Sequence, residues 1–181
     1  ISDCLVGSEM CIRDRGLWND DKRYIDNYWS VIKDYWVHGD LASRDADGHW
    51  YLHGRSDDTI KVSGKRIGPS ELESVIVKSG KAKEVAAVGI PDANKGSKII
   101  LSIVPAENND QKESFFEDLV IKDLGKSFKP DKVIFVKDLP KTRNMKIMRR
   151  VIKSCLANQD PGDLSTLLNP ESVEEIRSHA I

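Results

Sequence analysis

The chain has 181 residues, of which 28 are lysine or arginine and 29 aspartate or glutamate, for a net charge of −1. That length suits one ordinary domain with part of another and is short for a two-substrate enzyme carrying its own nucleotide pocket. The charge balance excludes an overall field drawing the protein to nucleic acid or an anionic membrane, and no apolar run approaches the roughly 20 residues of a membrane-spanning helix, although a 39% hydrophobic fraction can furnish a core.

Residues 1–15 show neither helical nor strand periodicity and none of the zones of a signal peptide. They are expected to be a non-native leader, more like a translated sequencing adapter than natural protein. From 23 to 31, Tyr24, Tyr28 and Val31 recur at helical intervals and predict a short helix. Segments 35–42 and 49–54 are aromatic or alternating and flank Asp45-Ala46-Asp47-Gly48, a turn sequence, so a hairpin is expected. The polar run Gly54-Arg55-Ser56-Asp57-Asp58 is the expected domain boundary, separating 16–56 from 57–157, with 158–181 as an extension.

Beyond the boundary come a strand at 59–62, a turn at Ser63-Gly64, and a helix at 71–79 with Ser70 as N-cap and Glu73 completing a capping box. The β-branched runs 85–90 and 98–104 are expected to pair across a turn at 91–96. Phe116, Leu119, Val120 and Leu124 line one face of a helix at 112–124 that Gly125 stops. A strand at 132–136 follows, and Met148, Val151, Ile152 and Cys155 mark a further helix. Near the end, Ser172 and Glu175 form another candidate capping box. The fold class expected is α+β: a small mixed sheet with helices packed on one side of it, preceded by a β-hairpin.

Cys4, Cys11 and Cys155 lack Cys-x-x-Cys spacing and fit a reducing, cytoplasmic compartment. His49 and His53 lie four apart in a strand-like segment, where they would share a face yet stand well apart, so no metal site is expected.

The segment richest in chemistry is 140–150, PKTRNMKIMRR, a cationic loop running into an amphipathic helix. By composition alone it is a solvated basic face. One short basic run without interleaved aromatics is poor support for nucleic-acid binding. The segment resembles the closing motif of the adenylate-forming superfamily, which includes acyl-CoA synthetases, luciferases and peptide-synthetase adenylation domains, and is nearest its acetyl-CoA and propionyl-CoA synthetase branch. The resemblance puts Lys146 at the motif's lysine, which bridges the acyl carboxylate and the α-phosphate of ATP during adenylation. An ammonium donor there offsets the repulsion of two anions forced together. Met145 stands where the family usually has a small residue. Lysines of this motif are reversibly acetylated in the family, and acetylation of Lys146 would remove that charge.

A second block, His38-Gly39-Asp40 through Gly54-Arg55-Ser56-Asp57-Asp58 to Ser63-Gly64-Lys65-Arg66, is similar to the family's signature segments around its interdomain hinge. The resemblance implies that Asp40 accepts hydrogen bonds from the ribose hydroxyls of ATP. It implies that Arg55 contacts ribose or phosphate and that Asp57 is the hinge residue. Ser63, Gly64 and Arg66 would lie near the CoA pantetheine, with Arg66 also serving the nucleotide phosphates. A further CoA-contacting arginine of the family is replaced by Ile121, beside Lys122. The run Gly162-Asp163-Leu164-Ser165-Thr166-Leu167 with Asn169-Pro170-Glu171 resembles the short carboxy-terminal extension of acetyl-CoA synthetases.

The resemblance therefore implies part of an AMP-forming ligase that makes acyl-AMP from a short-chain carboxylate and ATP, with Mg2+, and then passes the acyl group to CoA. The family's larger amino-terminal domain would be the missing partner, and without it the chain is expected not to turn over. No nucleic acid or membrane partner is expected. Two rivals stand beside this expectation: a non-catalytic module binding nucleotide or a partner, and another superfamily ligase such as a propionyl-CoA synthetase or a peptide-synthetase adenylation domain.

Overall fold

The computed structural model describes residues 13, 15–107 and 110–181, so the leader expected at 1–15 lies outside the described residues apart from Arg13 and Arg15. The chain divides into two compact units, Ile1–Leu41 and Ala42–Ile181.

In the first unit the expected helix is present but broken in kind. One α-turn, α1 (Asp21–Tyr24), capped by the Asp20 side chain, gives way to a wider π-turn over Ile25–Trp29. Tyr28 stacks on Trp36 with ring centroids 5.5 Å apart, so aromatic contact organises a unit whose α1 and π-turn bury no residue.

The hairpin runs two or more residues later than the sequence suggests at its first strand. It consists of β1 (Asp40–Arg44) and β2 (Trp50–Arg55), and Asp45 closes its turn by accepting the His49 N–H at 2.9 Å. Next, β3 (Ile60–Val62) pairs antiparallel with β4 (Lys65–Ile67), a strand the sequence did not announce because three residues carry too little periodicity. Helix α2 (Pro69–Lys78) begins earlier than expected, and its start is a correction. Gly68 is the N-cap and Glu71 accepts its N–H at 3.0 Å, whereas Ser70 is already helical. Proline at the first position, with no N–H to lose, set the start there.

The centre of the second unit is a three-stranded sheet of order β5-β6-β7. Strands β5 (Ala82–Asp92) and β6 (Gly96–Pro105) pair antiparallel as expected, and β7 (Lys132–Phe135) lies parallel to β6. The parallel crossover runs through α3 (Glu113–Leu124), which ends at Gly125 with φ 93°. Helices α4 (Arg149–Leu156) and α5 (Glu171–Arg177) complete the unit.

The α+β class with a mixed sheet holds, but helices cover both faces of the sheet rather than one. Leu72 and Ile76 of α2 and Phe116 and Val120 of α3 pack with Ile99, Leu101 and Ile103 on one face. Val151, Ile152 and Cys155 of α4 and Val173 and Ile176 of α5 pack with Ile100, Ala86 and Val88 on the other. The cause is visible in β6, whose residues 99–104 are all buried and, apart from Ser102, all apolar, as in a strand covered twice. Among the described residues, no helix is long and apolar enough to cross a membrane.

Candidate functional site

Lys146 sits at the return of a small closed loop between β7 and α4. Lys141 pairs with Ile147 as an antiparallel bridge, the Thr142 N–H donates to the Lys146 carbonyl at 2.9 Å, and the Lys146 N–H donates to the Thr142 hydroxyl at 3.2 Å. The Met145 N–H closes the turn on the Thr142 carbonyl at 2.8 Å. Met145 has φ 61°, in the left-handed region that disfavours every residue with a Cβ, and this explains why a small residue suits the position. The methionine accepts that backbone with its side chain out in solvent, 60% exposed.

The Lys146 side chain is exposed and makes no ion pair or hydrogen bond among the described residues. Around it lie Arg143, Thr142, Asn144, Ser165 and Thr166, one further cation with hydroxyls and an amide and no carboxylate. Such surroundings leave an ammonium free to meet an anion. They do not fit a magnesium ion, which needs carboxylate or phosphate oxygens.

Its base is the opposite: Lys141 is buried, with its ammonium 2.6 Å from Asp138 and 2.7 Å from Glu84. Burial alone would lower the Lys141 pKa, but hydrogen bonds and charge from Asp138 and Glu84 outweigh it and raise it. Asp138 is likewise pushed up by burial, yet bonds from Lys141, the Leu139 N–H and Asn169 hold it below the usual carboxylate range. Sequence reasoning treated Lys141 as one more surface cation. The apolar Leu139-Pro140 before it was the available sign that the chain dives inward here.

Ser63 and Gly64 form the two-residue turn joining β3 to β4, with φ 49° and 81°. Positive φ at both positions suits the right-handed twist of a hairpin, so the turn and the candidate CoA contact are the same residues. A Cβ at Gly64 would meet nothing within 4 Å, so the glycine serves backbone conformation and not internal packing. Arg66 is exposed in β4. Arg55, exposed at the end of β2, is 3.1 Å from Asp57, which links the candidate phosphate contact to the candidate hinge. Ile121 is half-buried in α3 and Lys122 exposed. In the first unit Asp40 has a His38 ring nitrogen 2.5 Å from its carboxylate, a partner the sequence offered only as part of a motif.

Next to the candidate hinge, Asp57, Asp58, Arg149, Arg150 and Lys153 border a cleft of about 70 Å³. Arg149 is fixed in it by a two-pronged bond to Glu73 at 3.0 and 2.7 Å, and Glu73 also accepts the Ala87 N–H at 2.9 Å. Burial, and then the charge of Asp57, raise the Asp58 carboxyl above its ordinary 3.8, against the pull of Arg149, Arg55 and Lys153. A carboxyl raised by folding stabilises the fold below 3.8 and loses that contribution as pH rises through its folded value. Asp58→Asn should therefore stabilise the fold at pH 7, by less than about 1 kcal/mol for a half-exposed group, and leave its stability unchanged below pH 3.8. Thermal unfolding at the two pH values measures this.

The carboxylates of Asp45 and Asp47 and a ring nitrogen of His49 lie within 4.8 Å of one another. The cluster is exposed, and Asp45 is already engaged by the His49 N–H and by the Tyr51 hydroxyl at 3.0 Å, the bonds of an ordinary turn. His53 bonds Ser43 at 2.7 Å instead of joining it.

Residues 71–146 match the family described as AMP-binding enzyme C-terminal domain, and Lys146 is the last residue matched. The acetyl-coenzyme A synthetase of Methanothrix thermoacetophila is 43% identical over 169 residues, covering 90% of this chain and 26% of its own length. The propionate–CoA ligase of Escherichia coli is 37% identical over 170 residues, covering 89% of this chain and 27% of its own. Among solved structures, the acetoacetyl-CoA synthetase of Streptomyces lividans superposes with a TM-score of 0.76 at 21% identity, over 88% of this chain and 24% of that one, a likeness of fold. The chain thus spans about a quarter of the length of the curated relatives it matches.

Proposed function

We propose that this chain, whose residues 71–146 match the AMP-binding enzyme C-terminal domain family, is the mobile small domain of an AMP-forming short-chain acyl-CoA ligase. The observation that carries this is the Lys146 ammonium, exposed and unpaired among the described residues on a loop whose base is buried and hydrogen-bonded. An ion-paired lysine would have to break its pair before helping a reaction, whereas this one is available as it stands.

In the first half-reaction a carboxylate oxygen attacks the α-phosphorus of ATP and pyrophosphate leaves. Lys146 would sit between the two anions and stabilise the charge that gathers as they close. In the second, the CoA thiol attacks the acyl carbonyl, AMP leaves, and the Ser63-Gly64 turn with Arg66 would border the pantetheine. Asp57 would be the hinge between these poses, and Asp40 and Arg55 would hold the nucleotide. Magnesium would enter with ATP, since the surroundings of Lys146 offer it no carboxylate. Free, buried Cys155 is consistent with a cytoplasmic setting.

Completion of the site by a larger amino-terminal domain accords with the hairpin, where Trp50 is 68% and Leu52 78% exposed. A two-stranded hairpin with such side chains uncovered gains little by itself and needs a surface to pack on. The acid belongs to the acetate and propionate class of the two relatives. The test is ATP–pyrophosphate exchange by the complete ligase carrying this chain. Exchange should require a short-chain acid and be followed by AMP and thioester once CoA is added. Exchange indifferent to acetate and propionate, or release of ADP, would overturn the proposal.

A further inference from the structure

The connection from α4 to α5, residues 157–170, has no part in the function just described, yet it is built into the base of the Lys146 loop. Arg150 holds its beginning through the carbonyls of Pro161 and, at 2.8 Å, Asp163. Further on it lies alongside the loop and meets it at one bridge. Leu167 bridges Thr142, and the Leu168 N–H donates to the Lys141 carbonyl at 2.8 Å.

Asn169 then turns inward and is 6% exposed. Its Oδ1 accepts the Lys141 N–H at 3.0 Å, and its Nδ2 donates to the Leu139 carbonyl at 2.8 Å and to Asp138 at 2.7 Å. Its own carbonyl accepts the Ser172 hydroxyl at 2.7 Å, the bond that stands where a capping box with Glu175 was expected. Glu175 instead accepts the Lys137 N–H at 3.1 Å. Burying an amide is costly unless its donors and acceptor are matched, and here every side-chain bond falls on residues 138–141.

We propose that Asn169 is a positioning residue for Lys146, and that the 157–170 segment acts as the outer brace that fixes where the loop presents its ammonium. The inference rests on the adenylation role given to Lys146 above. The mechanical path is short. Lys141 is bonded on one edge to the segment, and the next residue, Thr142, holds both the N–H and the carbonyl of Lys146. Removing Asn169 leaves the buried Lys141 N–H without an acceptor, so water enters that edge and the loop base shifts. An ammonium that must stand between two anions loses effect with small displacements. The thioester step, which would use the Ser63-Gly64 turn, has no such dependence.

In the complete ligase, Asn169→Ala should slow ATP–pyrophosphate exchange by roughly 10- to 100-fold while CoA-dependent release of AMP from supplied acyl-adenylate stays within about twofold. Equal losses in the two half-reactions, or an undiminished exchange, would overturn the proposal. Asn169→Asp sets two carboxylates against each other and should also slow exchange. Lys146→Gln in the same assays keeps the two ideas apart. Intact exchange in that variant defeats the role of Lys146 itself, whereas lost exchange there beside normal exchange in Asn169→Ala defeats only the positioning role.

Discussion

Lys146→Gln should slow acyl-adenylate formation in the complete ligase by roughly 10²–10³-fold, about 3–4 kcal/mol of transition-state stabilisation, the usual cost of removing one preorganised donor from developing charge. Glutamine is one atom shorter and keeps a hydrogen-bond donor but not the charge, and the charge is what two converging anions require. The side chain is exposed and carries no ion pair among the described residues, so its removal leaves no stranded partner and the fold should be unaffected. Stability and adenylation are therefore expected to separate cleanly. The fall should appear in kcat for exchange more than in KM for ATP, because the contact strengthens as the anions meet. Thioester formation from supplied acyl-adenylate should continue at close to its normal rate. If both half-reactions fell together, the lysine would not be specific to adenylation.

Lys141→Met, five residues away, should do the reverse and act on stability. The methionine fills the buried stem but removes the charge between Asp138 and Glu84, leaving two carboxylates facing one another. Breaking a buried pair commonly costs about 3–5 kcal/mol, and the partial exposure of both carboxylates reduces the expectation to about 2–3 kcal/mol. The pH dependence follows from the shifts. Lys141 is raised, so its contribution is full below 10.5 and fades as pH climbs through its folded value. Asp138 is lowered, so its contribution is full above 3.8 and fades as pH falls through its folded value. The variant should therefore be destabilised most between about pH 4 and 10, and the gap to the parent chain should narrow in acid as the facing carboxylates take up protons. Urea unfolding at pH 3 and pH 7 measures it, and a gap independent of pH would mean that lost packing, not lost charge, is the cause.

These two lysines show where the sequence is and is not legible. Both lie in one cationic run and look alike in composition, yet Lys146 is exposed and Lys141 is the one buried charged residue among the described residues. Burial depends on which elements close over a position, and Lys141 is closed over by Glu84 of β5 and by residues near 169, both far away in the chain. Likewise Glu73 suggested a capping box, a local bond, and instead joins α2 to β5 and α4 through Ala87 and Arg149. A carboxylate near a helix start has a local partner available in every sequence, so only the assembled neighbours reveal that a distant arginine outcompetes it.

The amino-acid sequence by itself determined the order and type of the longer elements, the pairing of β5 with β6, the stop at Gly125 and the family motifs around Asp57 and Lys146, because these rest on periodicity, backbone preference and residue identity within a few positions. Only the tertiary structure decided that helices cover both faces of the sheet, that Ser63 and Gly64 both take positive φ, and that the segment ending at Asn169 braces the Lys146 loop. Each of those depends on contacts between residues far apart in the chain or on backbone angles shared with a partner strand, and a one-dimensional pattern carries neither.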